Sequence, residues 1–144
     1  MTIKKSIQLT TSPLTELIEQ GESIDFRLDE AAWQGLEVGD YIEFWEDFTG
    51  WQKVATADAR RVVVCIKHIY KASSFQELFG IIEGDITRLG DKDELLDGLR
   101  SWWSEDKETT EGVLAFHVTV AWNRTIKIST TSSWLSPIIH YSGE

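Results

Sequence analysis

The sequence predicts an α+β protein, a curled and mostly antiparallel sheet flanked by helices. Three observations carry this. Residues 22–28 alternate cleanly, with Ile24, Phe26 and Leu28 on one face and Ser23, Asp25 and Arg27 on the other. The run Val62–Ile66, inside a strand Arg61–Tyr70, is apolar on both faces, as in a central strand of a curled sheet. Two capping boxes, Ser74–Glu77 and Asp91–Glu94, open helices.

Each element has its own signal. Ile3, Ile7 and Leu9 mark a short first strand over residues 3–9. Ser12-Pro13 reads as an N-cap with proline at the first helical position. Leu14, Leu17 and Ile18 give the helix its stripe, and Gly21 ends it. Val38-Gly39-Asp40 turns the chain into the strand Tyr41–Phe48. Thr49–Ala59 reads as a long hairpin loop. The capping boxes lead helices to about Ile82 and over 92–102, the second backed by Leu95, Leu96, Leu99 and Trp102. Gly112–Trp122 is the last core strand, with Leu114, Phe116, Val118, Val120 and Trp122 on one face. The reading is one domain over 1–122 and a C-terminal extension over 123–144, with one edge strand at Thr125–Ser129 and a tail.

Composition limits the function. Twenty-four acids against 14 bases give a formal net charge of −10, which repels polyphosphate at long range. Non-specific binding to duplex DNA or acidic membranes is therefore not expected. No apolar run approaches the roughly 18 residues of a membrane helix, and Met1–Lys5 is followed by no apolar leader region. Cys65 is the only cysteine, which excludes an intramolecular disulfide and a cysteine zinc cage. It is read as inert core, and a reducing cytoplasm as the compartment. His68 and His140 have no partner at metal-ligand spacing, so neither metal nor cofactor is expected. The acidic stretches Glu43–Asp47 and Asp91–Asp97 read as solvated faces and helix N-terminal charges. There is no Gly-rich phosphate loop, no G-x-S-x-G elbow and no H-E-x-x-H.

Several runs, taken in order, resemble the ASCH domain family. Gly21–Leu28 and Val38–Phe44 are similar to its G-x-K-T-x-E-x-R and v-G-D-x-i-x-F segments. The strand 61–70, Ser74–Leu78, Trp103–Asp106 and Gly112–Phe116 follow its later blocks. The resemblance covers roughly residues 6–121. It implies a PUA-like, curled or closed β-barrel with helices across its openings, and a link to RNA and nucleoside chemistry. Some members are amidohydrolases acting on N4-acetylcytidine through a lysine, a threonine and a distant glutamate. Here Glu22 holds the lysine's position, and Ser23 and Asp25 hold those where a threonine is expected. For the glutamate, Glu83 is the nearest candidate and Asp85 the next.

The candidate binding residues are Ser23, Asp25, Arg27, Asp40, Tyr41, Trp45 and Glu83. Ser23, Asp25 and Arg27 share a strand face and so project together. Arg27 either contacts an anion or base edge through its planar fork, or pairs with an acid such as Asp25 or Asp40. Asp40 serves the turn or the site. Tyr41 and Trp45 form either a base-stacking platform or part of the core or rim. Of Trp102 and Trp103, one ring is expected in the core. His117 reads as structural. The expected function is a binding module for a nucleotide, a nucleoside or short single-stranded RNA. The alternatives are an enzyme acting on a modified nucleoside or RNA, disfavoured by Glu22, and a protein-interaction domain with a vestigial pocket.

Overall fold

The computed structural model describes residues 2–85, 89–127 and 138–143. The fold is mixed α+β. The strands are β1 (Ile3–Thr10), β2 (Glu22–Leu28), β3 (Tyr41–Asp47), β4 (Arg61–Ala72), β5 (Val113–Lys127) and β6 (Ile138–Gly143). The α-helices are α1 (Thr11–Gln20), α2 (Phe75–Asp85), α3 (Lys92–Trp102) and α4 (Glu105–Glu111). The strands form one sheet of order β1-β3-β4-β5-β2, with β6 paired to β5. By their contacts the residues fall into two compact units. The first is 1–23, 38–67 and 118–144; the second is 24–37 and 68–117.

In the first unit β3 lies between two partners. It pairs parallel with β1, from Ile3 opposite Tyr41 to Thr10 opposite Asp47. It pairs antiparallel with β4, from Tyr41 opposite Cys65 to Trp45 opposite Arg61. The β1–β3 pair is parallel within a sheet expected to be mostly antiparallel. Alternation shows which face of a strand is buried and says nothing of its neighbour's direction. α1 packs on β1 and β3 through Leu14 and Leu17, both fully buried. The helix starts at Thr11, with Thr10 as its N-cap and no side-chain cap bond, two residues earlier than Ser12-Pro13 suggests. Its end is as expected: Gly21 takes φ +77° and donates its N–H to Leu17 O at 2.8 Å. Cys65 is half-buried rather than core.

The run Glu43–Asp47 corrects the expectation of a solvated face. Glu43, Glu46 and Asp47 are all buried, and each has partners. Glu43 accepts from Arg61 Nη1 at 3.0 Å and Ser6 Oγ at 3.1 Å. Glu46 accepts from Arg60 Nε at 3.1 Å and Nη2 at 2.9 Å, a two-point fork. That fork holds the Glu46 carboxyl below its ordinary range despite burial. β5 continues past Trp122 to Lys127 as one strand and pairs antiparallel with β6, Trp122 opposite Gly143 and Lys127 opposite Ile138. Of the expected edge strand, Ile128 and Ser129 lie outside the described residues.

In the second unit Leu28, Tyr70, Phe75, Leu78, Phe79, Ile82, Leu99, Val113 and Ala115 form one buried cluster, with Ile24 and Phe26 packed against it. The apolar face of β2 therefore lies where its alternation puts it. Phe26 meets Phe79 edge to face at 5.4 Å. Both expected caps form through their first residue: Glu77 N donates to Ser74 Oγ, and Asp93 N and Glu94 N donate to Asp91 Oδ1, while the Glu77 carboxylate accepts from Ser73 Oγ. α4 is an addition, capped by Ser104. Its Glu108 is buried, accepts from Phe75 N at 2.7 Å and pairs with Arg100 at 2.7 Å. A carboxylate thus sits on the first N–H of α2, where the helix dipole favours negative charge.

Candidate functional site

The polar face of β2 supplies the first component. Asp25 and Arg27 are alternate residues of one strand, so their side chains leave the same face. They meet there: Arg27 Nε donates to Asp25 Oδ2 at 2.9 Å, with the side chains 16% and 13% exposed. The Arg27 guanidinium lies over Trp33, 5.1 Å from the ring centroid. Trp33 is placed by the 3-10 turn Ala31–Trp33, in which Trp33 N donates to Glu30 O and Gln34 N to Ala31 O. The indole meets Phe116 edge-on at 6.4 Å and 70°. A cation held over an aromatic face in a half-buried setting contributes about 1–2 kcal/mol. The carboxylate fixes the plane of the guanidinium and offsets its charge. Asp25 Oδ1 has no hydrogen-bond partner among the described residues. The arrangement is a flat, oriented cation on an aromatic bed, next to an available acceptor.

The other candidates are placed differently. Ser23, Asp40, Tyr41 and Trp45 belong to the first unit. Trp45 is buried within β3, between its partners Gln8 and Arg61, so it offers no stacking face. Its parity with Tyr41 suggested a platform; the central position of β3 covers it instead. Tyr41 is half-buried and stacked on Trp122, with centroids 6.5 Å apart and planes 17° apart. The Asp40 carbonyl accepts from Ile66 N at 2.9 Å, beside Gly39 at φ +94°. Ser23 is half-buried, and Glu22 is exposed.

Glu83, in the second unit, is a clamp. Its carboxylate takes Lys92 Nζ at 2.7 Å and Leu89 N at 3.3 Å. The Lys92 hydrogen bond, helped by the Leu89 amide, draws the Glu83 carboxyl below its ordinary range. A general acid needs the opposite shift, because it must hold its proton near neutral pH. The side chain of Asp85 lies outside the described residues. His117 stacks on His68, with centroids 5.8 Å apart and planes 7° apart. Among the described residues, no group of three or more His, Cys, Asp or Glu could hold a metal ion.

Sequence reasoning missed Trp33. Its one signal is a tryptophan six residues beyond Arg27 with Gly35 following, and only the turn shows that it folds back under the arginine.

Two solved structures resemble the chain. The crystal structure of hypothetical protein PH0355 is 24% identical, with a TM-score of 0.58, over 81% of this chain and 97% of that one. The solution NMR structure of protein PF0455 from Pyrococcus furiosus is 22% identical, with a TM-score of 0.51, over 81% and 96%. These likenesses concern the fold alone. No family model and no curated protein matches the chain.

Proposed function

We propose that the protein is an ASCH-type, PUA-like module that binds a nucleotide, a nucleoside or a short single-stranded RNA segment beside β2. The observation that carries this is the Asp25–Arg27 pair lying over Trp33. Because Asp25 offsets the charge of Arg27, the pair recognises a base edge in preference to a phosphate. Arg27 donates, and Asp25 Oδ1 accepts from an exocyclic amine. An unstacked base offers such an edge, and a duplex hides it. The ordered motifs that resemble the ASCH family support the same reading.

Calorimetric titration with cytidine, cytidine monophosphate, a short oligoribonucleotide and duplex DNA tests this. The first three bind and the duplex does not. Arg27→Ala weakens nucleoside and nucleotide alike by about 1.5–3 kcal/mol, the scale of a charged hydrogen bond, in a protein that still unfolds cooperatively at a melting temperature lowered by the loss of the Asp25 pair and the Trp33 contact. Arg27→Lys, which keeps the charge and loses the fork, behaves like the alanine variant. Undiminished binding by a folded Arg27→Ala protein would overturn the assignment. A loss confined to the phosphorylated ligand would return Arg27 to the role of anion contact.

A further inference from the structure

The tandem Trp102-Trp103 divides its rings. Trp103 turns inward, stacked on Phe75 at 6.1 Å and 29°. Trp102 stands 62% exposed at the end of α3. It borders an open groove of about 510 Å³, with Leu89, Leu95 and Leu99 along it and Asp91 and Glu94 at its other end. Among the described residues, those lining the groove are all neutral or acidic. Among the described residues, no cation pairs with Asp91 or Glu94. Gly98 also lines it. A glycine inside a helix costs about 1 kcal/mol relative to alanine. Yet a Cβ built there meets nothing within 4 Å, so packing within the chain does not require the glycine. What the glycine does provide is depth.

We propose that this groove seats a short extended segment of a partner protein that carries lysine or arginine between apolar residues. The apolar lining takes the aliphatic side chains. The indole face of Trp102 and the two carboxylates take the cations. From Asp91 to Trp102 the helix rises about 16 Å, the span of roughly five extended residues. The excess of acids over bases in the chain favours a basic partner over an acidic one.

The test is calorimetric titration of the full chain with the peptide acetyl-KLRLK-amide, against acetyl-ELELE-amide and free arginine. The basic peptide binds, the acidic one does not, and affinity falls as salt rises. Gly98→Leu fills the groove and leaves α3 a better helix former, so it abolishes binding without lowering the melting temperature. Trp102→Ala, and Asp91→Asn with Glu94→Gln, each weaken binding about tenfold; the asparagine preserves the helix cap. Undiminished binding to Gly98→Leu, equal binding of the two peptides, or no binding of the basic peptide would each overturn the proposal. Binding of free arginine as tight as the peptide would reduce the site to a small-cation pocket and also overturn it.

Discussion

Asp47 offers the sharpest test of how the first unit is held together. It is 1% exposed, yet it ends β3 where the chain enters an exposed loop. Its Oδ1 accepts from the amides of Thr49, Gly50 and Gln52 at 3.1, 2.9 and 3.2 Å, and Oδ2 accepts from Gln8 Nε2 at 3.0 Å. One carboxylate therefore fixes the loop that carries Trp51, itself 79% exposed. Burial pushes the Asp47 carboxyl up, but the amides of Gly50, Gln52 and Thr49 together outweigh it, so the carboxyl sits below its ordinary range. Hydrogen bonds to a charged group are worth about 1.5–3 kcal/mol each. The loop amides regain water when released, so a simple sum overstates the loss. Asp47→Ala is expected to cost about 3 kcal/mol, and Asp47→Asn, which keeps an acceptor oxygen, about half as much. For a chain of this size that is a fall of about 9 °C in melting temperature for the alanine variant. Hydrogen exchange at Thr49, Gly50 and Gln52 should quicken in parallel. A carboxyl whose folded pKa lies below its unfolded value contributes stability above the unfolded value and loses it as pH falls through the folded one. The gap between wild type and Asp47→Asn should therefore close as pH drops below the ordinary carboxylate range. A gap that stays constant into acid, or an alanine variant as stable as wild type, would refute this account of the loop.

Other consequences can be measured in the same way. Glu108→Ala leaves half-buried Arg100 with only the exposed Glu105 carboxylate, 3.5 Å away, and Phe75 N without its acceptor, and should cost about 3 kcal/mol by urea denaturation. Glu83→Gln breaks a solvent-exposed pair with Lys92 and should shift the melting temperature by no more than about 2 °C. Trp33→Leu removes the aromatic bed under Arg27 and should weaken nucleoside binding about fivefold, read by calorimetry. N4-acetylcytidine at neutral pH should release no cytidine, since Glu22 stands where the hydrolases of the family that the sequence resembles carry lysine; robust turnover abolished by Ser23→Ala would reverse that expectation.

Period and capping made most elements legible. The alternation of β2 places Phe26 and Leu28 against the core and joins Asp25 to Arg27, and both capping boxes open helices. What escaped depends on partners distant in sequence. α4, with the sequence EDKETTE, has no apolar stripe, and its one buried side chain is a glutamate that serves another helix. The parallel pairing of β1 with β3 leaves no trace in the alternation of either strand. Glu43, Glu46 and Asp47 look like surface because charge usually is surface. They are buried because Arg61, Arg60 and loop amides are brought to them by β4 and the hairpin.

These pairings bear on the proposed ligand as well. Arg27, Arg60, Arg61 and Arg100 are each bound to a carboxylate within their own unit. Such pairs leave the net charge of −10 unchanged and take arginines out of the set that could meet phosphates. Counterion release scales with the number of phosphates neutralised, so a chain whose arginines are committed in this way gains little from a long polyanion. It can still gain from one base stacked and read at its edge, where directed hydrogen bonds count for more than charge. On this reasoning, affinity for single-stranded RNA should stop rising once the strand is long enough to fill the Arg27 site. It should also change far less with salt than the affinity of phosphate-driven binders, which falls roughly threefold per phosphate contact between 50 and 200 mM. An affinity that climbs steadily with strand length, and collapses as salt is raised, would mean that the ligand is held by cations on another part of the surface.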